Sequence, residues 1–183
     1  MQKSEELNEV ATILFNQLKN LGGNLWTCAI VLCKENSTED ELRTAFENSI
    51  QPSVYVPNNA DEVHIKMYEG WKNKDEIFSV SKGGEVLKEH YQYMLTVPSI
   101  KPVFENMLAS GIHFPTWQKW HAAYFSAGYL MIITTEPYTE ENIFVRFAKV
   151  FEQSYTRFLD PIPVFLTCKK QKHRQGKHKL KWH

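Results

Sequence analysis

Residues 136–160 read EPYTEENIFVRFAKVFEQSYTRFLD, and their periodicity decides the fold class. Phe144, Ala148, Phe151, Tyr155 and Phe158 recur at alternating spacings of four and three, the a/d pattern of a helical seam. Ile143, Phe147 and Val150 widen the stripe beyond a bare seam, so one flank of the helix should also pack on a core. Thr139 stands where an N-cap belongs, and Glu140 and Glu141 fall in the first turn, where the helix dipole favours negative charge. A helix over 139–160 would be roughly 30 Å long at about 1.5 Å per residue. The pattern leaves two readings open: an output rod, or a core helix of the same domain.

Working outward, 120–126 and 129–135 alternate as two strands joined across Ala127-Gly128 in a hairpin. At the other end, 4–21 is an amphipathic helix with Leu7, Val10, Ala11, Leu14, Phe15 and Leu18 on one face, closed by Gly22-Gly23. Residues 24–33 form a strand apolar on both faces, hence central in its sheet. Strict alternation there puts Trp26 with Cys28, Ile30 and Leu32, against Leu25, Ala29, Val31 and Cys33. Between these ends the pattern predicts strands near 53–56 and 76–80, while 37–46 is ambiguous because Thr38-Glu39-Asp40-Glu41 looks like a helix start. Helices are predicted over 61–72, from Gly83-Gly84 to about 94, and over 99–110, with a loop over 111–119. The order predicts an α+β fold: a central, mostly antiparallel sheet flanked by helices, with long N- and C-terminal helices.

The chain of 183 residues suits one domain of about 100–150 residues with a tail. A hydrophobic content of 43% and an aromatic content of 13% argue for a packed core rather than disorder. The net charge of zero conceals an asymmetry. Residues 161–183 carry seven Lys/Arg and no Asp/Glu, leaving 14 basic against 21 acidic side chains in residues 1–160. An acidic domain gives no electrostatic reason to bind nucleic acid. Cys28, Cys33 and Cys168 make no disulfide framework and fit a reducing compartment. No apolar run is long enough to span a bilayer, and the polar, acidic start MQKSEELNEV is unlike a signal peptide. A cytoplasmic protein without a membrane partner is expected.

The segment RFAKVFEQSYTRFLD (146–160), preceded by HAAYFSAGYLMIITTEPYTEENI (121–143), resembles the end of a GAF-like sensory domain. Such domains stand near the N-terminus of bacterial sensor histidine kinases and nucleotide cyclases. The resemblance covers most of residues 5–160, strongest at the C-terminal end. It implies a GAF-like domain over 1–160 that holds a small ligand between the sheet and the helices on one side. It also implies a second strand near 42–46, and a last helix that continues into a signalling coiled coil.

The tail over 161–183 departs from that pattern. Codons for CKKQKHRQGKHKLKWH (168–183) can be chosen so that a shifted frame reads LQKAEAQAREAQIEVA, a linker of the kind the family carries. Codons for DPIPVFLT (160–167) can likewise give SYTRFLD, which already stands in frame at 154–160. A short duplication with a frame change in the coding DNA explains both, so 161–183 is expected to be non-native and disordered. Codons incompatible with the second frame would sink this explanation.

Trp117, Trp120, His121 and Tyr124 cluster with His113 and Phe114 in and before the hairpin. Aromatic walls with one or two polar tips line many small-molecule pockets. The ligand-binding candidates are therefore Trp117, Trp120, His121 and Tyr124, with Trp26 opposite. The bland alternative is a set of core aromatics with a satisfied histidine. Phe144, Phe151, Tyr155 and Phe158 are the candidate dimer interface. No metal site, cofactor or catalytic residue is expected: His113 and His121 lack ligand spacing, and there is no G-x-S-x-G or P-loop. Cys28 and Cys33 face apart on one strand, against paired-cysteine chemistry. The functional expectation is a non-catalytic sensory domain binding an unidentified small effector and signalling as a homodimer through its terminal helices. The alternatives are a purely structural dimerisation module, or an enzyme using His121.

Overall fold

The computed structural model describes residues 2–22, 24–46, 49–50 and 53–159. The tail over 161–183 lies outside them. Among the described residues the chain is α+β, with five helices and one seven-stranded antiparallel sheet. In chain order these are α1 (Gln2–Asn20), β1 (Leu25–Leu32), β2 (Glu39–Phe46), β3 (Ser49–Ile50), β4 (Val54–Pro57) and α2 (Glu62–Asn73). There follow β5 (Ile77–Gly83), α3 (Gly84–Met94), α4 (Lys101–Ala109), β6 (Trp117–Phe125), β7 (Gly128–Thr134) and α5 (Asn142–Leu159). The sheet runs β3-β2-β1-β7-β6-β5, and β4 also pairs with β2.

The central strands are apolar on both faces because both are covered, the burial expected of inner strands. On one face Leu7, Ala11, Leu14, Phe15 and Leu18 of α1 and Phe144, Ala148 and Phe151 of α5 pack on Cys28, Ile30, Leu130 and Ile132. On the other, α2, α3 and α4 cover Ala29, Val31, Trp120, Ala122, Met131 and Ile133. The terminal helices thus share one layer and the three middle helices the other. Cys28 and Cys33 are free and buried in different layers. Burial pushes both thiols far above their usual range, leaving them inert at neutral pH.

Four expectations need correction. The register between β1 and β7 shifts between Leu25 and Thr27, and this irregularity reverses the alternation at the start of β1. Trp26 therefore joins Ala29 and Val31 on the face of the middle helices, not Cys28 and Ile30. Second, 117–119 is strand rather than loop, because β5 extends to Gly83 and supplies partners as far as Gly83↔Trp117. Third, α5 begins at Asn142 rather than Thr139. The Glu141 carboxylate meets Lys119 and Ser79 of the sheet, and its carbonyl accepts the Phe144 and Val145 amides at the start of the helix.

Fourth, Phe144 and Phe151 do not form a subunit surface. They are 1% and 7% exposed, with Phe151 edge-on to Phe125 (5.0 Å between ring centroids). Tyr155 is half-buried and stacks on Phe151, and the Phe158 side chain lies outside the described part. The a/d seam of α5 is thus its core stripe. Its outward face carries Arg146, Lys149, Val150 and Gln153, of which Val150 is 62% exposed.

Candidate functional site

Between the sheet and the middle helices lies an apolar cavity of about 70 Å³. Trp26 of β1, Trp120 of β6, and Met131 and Ile133 of β7 form its floor. Met94 of α3 and Phe104 of α4 stand among the residues that close it. No Asp, Glu, Lys or Arg lines it. Its lining includes polar side chains from Thr27, Thr44, Tyr91 and two histidines, His64 of α2 and His90 of α3, besides the indoles of Trp26 and Trp120.

The histidines are held by one carboxylate. Asp61 caps α2 from an extended backbone, its Oδ1 accepting from the Val63 and His64 amides at 3.0 Å each. The same Oδ1 accepts from His64 Nδ1 at 2.8 Å, and Oδ2 accepts from His90 Nδ1 at 2.6 Å and from Lys82 Nζ at 3.0 Å. Burial alone would raise the Asp61 carboxyl. The hydrogen bonds from His64 and His90 overcome that and hold it well below the usual carboxylate range. His90 is pulled down by burial against the pull of Asp61, so its ring is neutral at neutral pH. Both rings are 5% exposed and nearly parallel, with centroids 5.9 Å apart and an interplanar angle of 13°. Each also meets the edge or face of Trp120.

The expected site residues divide between the two faces of the sheet. Trp26 and Trp120 meet at the cavity. Trp117 and His121 do not, because odd-numbered residues of β6 point to the terminal helices. Trp117 instead lies over Gly83, where an added Cβ would come within 2.9 Å of its ring. Tyr124 is on the cavity's face but beyond its end, under α2, where Gly70 has no side chain to collide with the phenol. It lines a separate surface groove with Trp71, Asp75 and Glu152.

His121 is fully buried against Phe144, its Nδ1 3.4 Å from Glu141 Oε1 without completing a hydrogen bond. Glu141 is itself held by Lys119 Nζ at 2.5 Å and Ser79 Oγ at 3.4 Å. Burial lowers His121 from 6.5 to about 4; Glu141 opposes this and Lys119 reinforces it. The folded chain therefore refuses a proton that the unfolded chain accepts, and stability should fall as pH drops from about 6.5 to about 4, then level off. Buried Asp40, pushed up by burial to about 6, works in the opposite direction over much of that window. Comparison with His121→Phe isolates the histidine. The stability advantage of wild type over the variant should shrink by about 3 kcal/mol between pH 6.5 and 4, and a pH-independent difference in urea unfolding contradicts neutral burial.

Sequence reasoning missed His64, His90, Asp61 and Lys82. The signal was present but local: each histidine interrupts an apolar helix stripe, His64 between Val63 and Met67, His90 between Leu87 and Met94. Nothing in their spacing says that the two stripes face each other. Ligand-type atoms of Asp61, His64 and His90 lie within 4.8 Å of one another, close enough for a metal site. The electrostatics oppose one there, since five donors already use the roughly four lone-pair directions of Asp61. Lys82 supplies the positive charge that a cation would bring.

No protein-family model, curated protein or solved structure significantly matches this chain. Among the described residues no helix is long and apolar enough to cross a membrane.

Proposed function

We propose that this chain is a GAF-like sensory domain that binds a small molecule in the cavity between Trp26, Trp120 and the middle helices. The observation that carries the reading is the cavity itself, apolar, free of charged lining and walled by two tryptophans and two positioned histidines. The layering supports it: the cavity lies on one face of the sheet and the terminal helices on the other. A ligand that moved the floor strands would be felt by α1 and α5 through a shared sheet. In this reading the output is a homodimer whose subunits meet through the outward faces of those helices. Ile13 and Val150 are exposed apolar residues on those helices, at 59% and 62%, and ligand occupancy biases how the helices pair.

Thermal-shift screening with small uncharged ring compounds tests the cavity. Wild type should gain melting temperature with at least one of them. Val103→Phe, which drops a ring into the space, should not respond to that compound while remaining folded. A wild-type protein with no response across the screen returns the aromatics to a purely structural role. For the dimer, sedimentation should show wild type converting from dimer to folded monomer in the double variant Ile13→Glu, Val150→Glu. A monomeric wild type at high concentration removes this route from ligand to output.

A further inference from the structure

The geometry points to the Nε2 atoms of His64 and His90 as paired hydrogen-bond acceptors for the cavity's ligand, which is an uncharged, largely apolar ring carrying O–H or N–H donors. This rests on the cavity being a ligand site and names the chemistry that it selects.

Both imidazoles give their Nδ1 edge to one carboxylate. An ionised carboxylate only accepts, so Nδ1 is the protonated nitrogen of each ring, and in that neutral tautomer Nε2 carries the lone pair. A carboxylate behind a histidine also makes the far nitrogen a stronger acceptor. Among the described residues no donor meets either Nε2, although both rings are 95% buried and line the cavity. Neither nitrogen is among the sealed, unpartnered atoms of the core. Each therefore keeps some accessible surface, on a ring that lines the cavity. Buried acceptors without donors cost about 1–3 kcal/mol each, a cost that a ligand donor removes.

Charge then narrows the class. The negative Asp61 is balanced by Lys82, both imidazoles lie in apolar surroundings, and no ionised side chain lines the cavity. A charged ligand would enter without a counter-ion, which is the costlier burial. Size narrows it further, since at about 10–15 Å³ per water-sized group a cavity of about 70 Å³ holds little more than a single substituted ring. A metal bridged by the two Nε2 atoms is disfavoured. The Nδ1 edges converge on one carboxylate, so the far edges sit about as far apart as the 5.9 Å centroids. Two nitrogens on one zinc reach at most about 4.2 Å, twice a Zn–N bond.

The test compares phenol, resorcinol and anisole, with zinc chloride as a separate arm, on the full chain. Binding is read from the methyl signals of Met94 and Met131, which line the cavity, and from imidazole nitrogen spectra. Phenol and resorcinol should bind at least about tenfold more tightly than anisole, which has no donor. Their addition should move the Nε2 resonances of two Nδ1–H tautomers. His64→Phe and His90→Phe should abolish the preference for phenol over anisole. Equal affinity for phenol and anisole in wild type overturns the acceptor pair while leaving the cavity as a ligand site. No binding of any ring overturns both. Stoichiometric zinc binding that is lost in the histidine variants also overturns the inference, in favour of a metal site. The wild-type comparison stands even if the variants fold poorly.

Discussion

Asp61→Ala should lower the unfolding free energy by about 3–5 kcal/mol, the usual result of removing one partner from a buried ionic cluster. On a total of about 5–15 kcal/mol that is a large share, and the melting temperature should drop on the order of 10 °C. Three losses combine. The cap of α2 goes, leaving the Val63 and His64 amides without their acceptor. Two buried imidazole N–H groups lose theirs. Lys82, with a side chain only 11% exposed, keeps a charge with nothing opposite it. Asp61→Asn separates these effects, because asparagine caps a helix about as well as aspartate but cannot balance Lys82. Adding Lys82→Met to Asp61→Asn should therefore recover part of the loss. The pH dependence has a definite sign. A carboxyl held low in the fold stabilises above its unfolded pKa, about 3.9, and that contribution is lost as pH falls below it. Wild type should lose this stability in acid and the variants should not. Urea unfolding of Asp61→Ala within 1 kcal/mol of wild type would show that water replaces the carboxylate in solution.

Most element types along the chain were legible because hydrophobic period is a local property; β2 was not, since its first residues also read as a helix start. The stripe Leu7, Ala11, Leu14, Phe15, Leu18 and the seam Phe144, Ala148, Phe151 are core faces in the structure, and the doubly apolar strand at 25–32 is central. What the period could not say was which body a stripe meets. Phe144 and Phe151 satisfy a coiled-coil pattern and a core pattern equally, and tertiary packing chose the core. A strand over 120–126 already set His121 on the opposite face from Trp120 and Tyr124, but not which face carries the cavity. Trp117 joined the alternation only with 117–119 in the strand. The structure puts His121 on the terminal-helix face and Trp120 at the cavity. Trp26 depended on an irregularity that no periodicity carries. Half of the site was therefore visible as aromatics. The polar half was not, because Asp61, Lys82 and His90 come together only through three separate chain segments.

Gly128→Ala should cost more than about 4 kcal/mol and leave most of the protein unfolded or insoluble. Gly128 begins β7 with φ +155°, opposite Leu32, and a Cβ there would lie 1.9 Å from the Val31 carbonyl oxygen. The obstacle is backbone in the neighbouring central strand, so no rotamer change relieves it. The turn cannot back away either, since the Cys33 amide donates to the Ala127 carbonyl at 2.9 Å and ties the hairpin to the end of β1. An alanine must therefore separate β7 from β1 at the hairpin end of this central pair, besides adopting a backbone conformation that side chains disfavour. Ala127→Gly, one residue earlier, is the control and should stay folded at a cost of about 1 kcal/mol. The consequence reaches function because β6 and β7 serve both layers: Trp120, Met131 and Ile133 floor the cavity, while Ala123, Phe125, Leu130 and Ile132 bed α1 and α5. Any variant that loosens this hairpin without unfolding the chain should weaken ring binding and dimerisation together. A cavity-side variant such as Val103→Phe should block binding while the helices still pair. Circular dichroism and melting of Gly128→Ala decide the first point, and a melting temperature equal to wild type would mean that β1 and β7 do not approach this closely in solution.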